Sequence, residues 1–224
     1  MTHCHMTMCH ISFWMCDALP TETFFRLPEE KRARLVSAIY QELARVPVTE
    51  MSINRIVYQA DISRGSFYQY FNGRDDLVDF LIGNFLQRVQ AFTDAEAASC
   101  EDCFALLRRM IREVRRFGDM PENRAFATNM LAHIRACWSN SSCIVRTKVN
   151  YKAMADWYDQ YFDRARLNAD SDETFMLILD LLFAVFRSSV AEMFEADANA
   201  DQVIERFDMK LAILQRGMLR TAGR

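Results

Sequence analysis

A chain of 224 residues, 51% hydrophobic and 25% charged, has apolar material for one large domain or for a small and a larger one. With six Gly and four Pro it is too poor in turn residues for a sandwich or barrel, which leaves long helices with short connections. A formal charge of −3 gives no support to a nucleic-acid partner by itself, although residues 28–74 carry a slight excess of Lys and Arg over an otherwise acidic chain, and the contact face matters more than the total.

The first twenty residues, MTHCHMTMCHISFWMCDALP, show neither helical nor strand periodicity. They lack the basic start, apolar middle and small-residue cleavage site of a signal peptide. His3, Cys4, His5, Cys9, His10 and Cys16 are soft ligands able to hold zinc or copper(I), but their spacings fit no structural zinc pattern. Residues 1–27 therefore read as a poorly ordered extension, with metal binding and incidental residues both open. Seven cysteines without a disulfide-scaffold spacing point to reduced thiols and a cytoplasmic protein.

The pattern changes at Pro28. Acids follow it in a first helical turn, and Leu35, Ile39 and Leu43 recur at i, i+4, i+8 until Pro47 closes the segment. Ser52 is an N-cap for a short helix whose inner face is Ile53, Ile56, Val57 and Ala60. Asp61 and Ile62 make a turn, Ser63 caps a second short helix, and Phe67 and Phe71 face inward. Asn72-Gly73 is a turn signal, and Asp75 and Asp76 open a long helix. Further helices are predicted at roughly 101–117, 122–138, 144–167, 172–196 and 200–221. The most apolar run, 175–186, is broken by Asp180 and closed by Arg187, short of the ~18 uninterrupted apolar residues of a membrane span, so no membrane partner is expected. The fold class is all-α.

The two short helices suit a DNA groove. A helix entering the major groove must be narrow where it meets the backbone and polar where it meets base edges. Gly65 removes a side chain, while Ser63 and Ser66 supply hydroxyls beside the free N–H groups of a first turn. Arg64 can pair with the O6/N7 edge of guanine, and Gln69 can read adenine. Ser52, Tyr68, Tyr70 and Arg74 are placed for the phosphate backbone. Paired amphipathic helices also occur in helical proteins that never meet DNA.

The string itself carries more. Ser52, Ile56-Val57, Ala60-Asp61, Ser63 to Ser66, Tyr68 to Phe71 and Arg74 to Leu77 closely resemble the DNA-binding domain of the tetracycline-repressor (TetR) family of bacterial transcriptional regulators. The resemblance covers about 50 residues. Asp61 stands where the family usually has Gly, Pro47 where Gly is common, and Arg74 where Lys is usual. Asp tolerates the left-handed region better than most residues, and Arg keeps the charge.

The resemblance implies an N-terminal three-helix DNA-binding domain with a helix-turn-helix at 28–74, followed by a helical effector-binding and dimerisation domain at 75–224. It also implies a homodimer paired through the last two helices. Here those helices offer Ile178, Leu181, Leu182, Val185, Phe207, Leu211 and Leu214. An effector cavity is implied too, with Met130, His133, Trp138, Tyr151, Met154, Trp157, Tyr158 and Tyr161 as lining candidates. Aromatics and Met favour an apolar or flat cationic effector. The expected function is a dimeric, sequence-specific repressor released from a palindromic double-stranded operator by a small molecule. It needs no cofactor and is not an enzyme: no nucleophile–base arrangement, phosphate-cradling loop or paired acids are evident. The alternative is a metal- or thiol-dependent protein using the N-terminal Cys and His residues or the Cys100–Cys103 pair, with Cys137 and Cys143 flanking a later loop.

Overall fold

The computed structural model describes residues 20–139 and 151–220, except the side chains of 82, 86, 134–139 and 151–154. Its helices are α1 (Glu22–Phe25), α2 (Glu29–Arg45), α3 (Ile53–Gln59), α4 (Arg64–Tyr70), α5 (Arg74–Ala97), α6 (Cys103–Gly118), α7 (Pro121–Ser139), α8 (Tyr151–Tyr161), α9 (Asp172–Met193) and α10 (Ala200–Met218). Short 3₁₀ turns lie at Val48–Glu50 and Arg164–Arg166. The N-terminal Cys/His residues, Cys143 and the side chains of Cys137, Trp138, Tyr151 and Met154 lie outside the described residues. The described residues form two compact units, 20–88 with 118–139 and 89–117 with 151–220.

In the first unit α2 packs on α3 and on α7. The rings of Tyr40 and Phe126 lie 4.6 Å apart, and Asn129 donates to the Leu43 carbonyl at 2.7 Å. Ser52 and Ser63 cap α3 and α4 by accepting from the main-chain N–H groups of Arg55 and Ser66. Asp61, between them, takes φ 54°, the left-handed turn that its residue type makes tolerable. The folded part begins earlier than the sequence pattern suggests. Residues 21–25, assigned above to an extension, form the cap and single turn of α1, and Phe24 is buried against Phe71 and Phe80 with ring centroids at 5.4 and 5.1 Å. One turn is too short to show a period, so the sequence conceals it.

Among the described residues of this unit, Glu42 is the buried charge. Its carboxylate accepts from Arg45 at 2.7 and 3.0 Å and from the N–H of Ser52 at 3.0 Å, with Arg55 Nε at 3.4 Å. It thereby ties the end of α2 to the cap of α3. Burial pushes the carboxyl up, but the Arg45 and Ser52 hydrogen bonds and the charges of Arg45 and Arg55 outweigh it and hold the group below its ordinary value. Glu42→Gln is expected to lower stability by about 1–3 kcal/mol at neutral pH. Because the folded carboxyl is the stronger acid, the wild-type advantage is full above the unfolded value and shrinks as pH falls through the folded one. Urea midpoints of both proteins at neutral pH and near pH 3 would check this; a pH-independent gap would be contrary.

In the second unit α9 packs on α10 around Phe175, Ile178, Leu182, Val203, Phe207 and Leu211. Asp208 of α10 accepts from Arg112 at 3.0 Å and pairs with Arg108 at 3.5 Å, tying α6 to α10. The predicted helix at 144–167 stops sooner, at Tyr161. Asp163 caps a new turn by accepting from Ala165 N–H at 2.9 Å, and Arg164 lies 3.8 Å over the Phe175 ring. The last helix ends at Met218 rather than near 221, because Leu219 forms an isolated antiparallel bridge with Leu167.

Burial divides the expected pairing residues. Ile178, Leu182, Phe207 and Leu211 are buried within this unit, and Val185 and Leu214 are half-buried. Of that set Leu181 is exposed, and it is joined outside by Leu177, Met209 and Ile213. A helix apolar all round does not reveal which side its own chain covers. By length and composition alone α9 could cross a membrane, but one of its sides is occupied by α10.

Candidate nucleic-acid interface

The seven residues of α4 divide cleanly into two faces. Phe67 is fully buried, whereas Ser63, Arg64, Gly65, Tyr68 and Gln69 are exposed and Ser66 half-exposed. The Ser63 hydroxyl accepts from Ser66 N–H at 3.0 Å and lies 2.8 Å from the Ser66 hydroxyl, so both hydroxyls gather at the helix start. Arg64 donates to Asn54 Oδ1 at 3.0 Å and to the Tyr68 hydroxyl at 3.4 Å, with its guanidinium 5.8 Å from the Tyr68 ring centre. This holds an exposed cation in one orientation over the gap between α3 and α4.

Gly65 is informative because nothing among the described residues asks for it. Its φ is not positive, and an added Cβ would meet only Ser63 Oγ, at an ordinary 3.8 Å. Glycine in a helix costs roughly 0.5–1 kcal/mol relative to alanine. A cost without an internal reason points to something approaching from outside. Gly65→Ala is therefore expected to raise the unfolding midpoint slightly while weakening duplex binding, a split visible in parallel melting and titration experiments. Tighter or unchanged duplex binding would contradict it.

Tyr70 does not join this face. It is buried, with its ring centroid 6.3 Å from that of Phe24. The signal was available in the spacing, since Tyr70 follows Phe67 by three positions and precedes Phe71, both core residues. Ser52 is committed to capping α3, and exposed Arg74 donates to the Thr49 carbonyl at 3.1 Å. Two residues not singled out from the sequence belong with the site. Asn54 is the partner of Arg64, and Arg55 presents a half-exposed guanidinium steadied by Glu42. Both stand on the polar side of α3 between Ile53 and Ile56, which is the signal that could have found them.

The effector candidates are divided. Met130 (buried) and His133 (half-buried) stand on α7 in the first unit, whereas Trp157, Tyr158 and Tyr161 stand on α8 in the second. Trp157 donates to Asp94 at 2.7 Å, and its ring lies 5.2 Å from that of Tyr161. Tyr158 is taken up by the core, 5.1 Å from Phe175, with its hydroxyl on the Cys103 sulfur at 3.9 Å. Burial pushes the Cys103 thiol up to about 12 and raises that of Cys100 as well, so neither is a ready thiolate at neutral pH. That speaks against thiol chemistry at this pair.

Residues 35–80 match the family model described as bacterial regulatory proteins, tetR family, and residues 102–218 match the tetracyclin repressor-like C-terminal domain. Among solved structures, a TetR family transcriptional regulator from Chloroflexus aurantiacus J-10-fl is 26% identical. The match covers 91% of this chain and all of that one, with a TM-score of 0.51. A TetR-family transcriptional regulator from Streptomyces coelicolor is 19% identical, with 87% and 93% of the two chains covered and a TM-score of 0.57. No curated protein matches the chain.

Proposed function

The chain belongs to the tetR family of bacterial regulatory proteins, and from that premise we propose that it is a dimeric repressor released from a near-palindromic operator by a small-molecule effector. The family makes it a transcriptional regulator with a helix-turn-helix for DNA. The observation that carries the finer reading is the exposed α3–α4 face, where Arg64 is pre-oriented by Asn54 and Tyr68 beside the open surface of Gly65.

Arg64 and Gln69 read base edges, while Arg55, Arg74, Tyr68 and the hydroxyls at the start of α4 hold phosphates. Pairing occurs through the outer sides of α9 and α10. Two-fold symmetry then sets two copies of α4 about 34–36 Å apart, one turn of duplex. An effector that binds the DNA-incompetent form more tightly shifts the population off the operator by that difference in affinity.

Selection of bound duplex from a random pool tests recognition and symmetry together. A near-palindrome with half-sites one turn apart is expected. A pool that enriches nothing, or a single asymmetric site, would overturn the dimeric reading.

A further inference from the structure

The last carbonyls of a helix have no partner within it and must find one elsewhere. At the end of α4 one residue supplies two. The Thr21 N–H donates to the Tyr70 carbonyl at 3.1 Å, and the Thr21 hydroxyl donates to the Gln69 carbonyl at 2.5 Å. Thr21 sits at the N-cap of α1, where a threonine hydroxyl ordinarily binds its own helix, yet it makes no such bond. Its hydroxyl is given across to α4. Three residues on, Phe24 is buried and packs against Tyr70, Phe71 and Phe80, closing the same end of α4 from behind.

The carbonyl held by the Thr21 hydroxyl belongs to Gln69, whose side chain is exposed on the face assigned to base reading. A seven-residue helix is marginal without such support. Ser63 secures its first turn and Thr21 its last. Both Thr21 and Phe24 lie ahead of residue 35, where the match to the DNA-binding family model begins.

We propose that Thr21 is a positioning residue for DNA recognition, its N–H and hydroxyl fixing the C-terminal end of α4 so that Gln69 meets the duplex in one register. The proposal rests on the reading of the chain as a DNA-binding regulator. Losing the clamp leaves α4 to be ordered at the moment of binding, which lowers affinity without removing any contact to DNA.

Thr21→Pro deletes both donors, and the φ of −58° already suits proline. Thr21→Ser keeps both donors, and Thr21→Val keeps only the N–H. The full chains are compared by amide exchange in α4 and α2 and by titration with the duplex that wild type enriches from a random pool. For Thr21→Pro, about tenfold weaker duplex binding and faster exchange confined to α4 are expected, with Thr21→Val between and Thr21→Ser near wild type. Unchanged duplex affinity in Thr21→Pro would overturn the proposal, as would equal acceleration of exchange in α2, which marks general destabilisation. A wild-type chain that enriches no duplex would overturn the DNA reading, and the role of Thr21 with it.

Discussion

Arg64→Ala is expected to weaken binding to the selected operator by about 1–3 kcal/mol and to relax base preference at one position in each half-site. The reason lies in how the guanidinium is held. Its two terminal nitrogens rest on Asn54 Oδ1 and the Tyr68 hydroxyl, so the cation stands ready above α4 instead of sampling solvent. Binding then needs little further ordering of a long side chain. Arg64→Lys should not restore preference, because a point charge lacks the fork that pairs with two acceptors on one base. Fluorescence anisotropy with the operator, point-substituted operators and random duplex separates the effects. A phosphate contact would weaken all duplexes about equally, whereas a base contact narrows the gap between operator and random sequence. Loss of affinity with preference intact at every position would assign Arg64 to the backbone.

With the proposed pairing through α9 and α10, Ile213→Asp is expected to leave the chain monomeric and to lower operator affinity at least a hundredfold, an order-of-magnitude figure for losing one of two linked half-sites. Ile213 is 68% exposed, with Met209 one turn before it on α10 and Leu177 and Leu181 exposed on α9. On α9 the chain itself buries Phe175, Ile178, Leu179, Leu182, Ser189 and Met193 and leaves Leu177 and Leu181 outside. The proposed pairing would cover this exposed apolar surface. In a two-fold interface the substitution counts twice, burying two carboxylates that have no partner. Sedimentation velocity reads the mass directly. Phe207→Ala is the contrasting variant: it hollows the core of the second unit, should cost about 3–5 kcal/mol of stability, and leaves the outer face intact. An Ile213→Asp protein that stays dimeric and binds operator normally would remove this face from consideration.

Much of the DNA-binding unit was legible in the sequence because its signals are local. Ser52 and Ser63 announce two helix starts, and Asp61 supplies a left-handed turn between them. The exposed side of α4 follows from the placement of Phe67. The same period, applied strictly, would also have put Tyr70 inside. Thr21 and Phe24 were not legible, since a four-residue helix has no period and their partners Gln69, Tyr70, Phe71 and Phe80 are 46 or more residues away. Glu42 was equally hidden: an acid in an amphipathic helix reads as solvated until Arg45, Arg55 and Ser52 are seen to surround it.

The class of the protein, most of its longer helices and the stretch proposed to meet DNA could be read from residue order alone. Capping, turn chemistry and helical periodicity act over a few residues, and each leaves its mark in residue type. Which apolar residues of α9 and α10 are core and which face outward came only from the tertiary structure: Ile178, Leu182, Phe207 and Leu211 are buried, whereas Leu177, Leu181, Met209 and Ile213 are exposed. It also decided that Thr21 closes α4 and that Asn54 holds Arg64. Apolar residue type records a preference for leaving water but not the neighbour that removes it. That neighbour is chosen by packing between segments far apart in the chain.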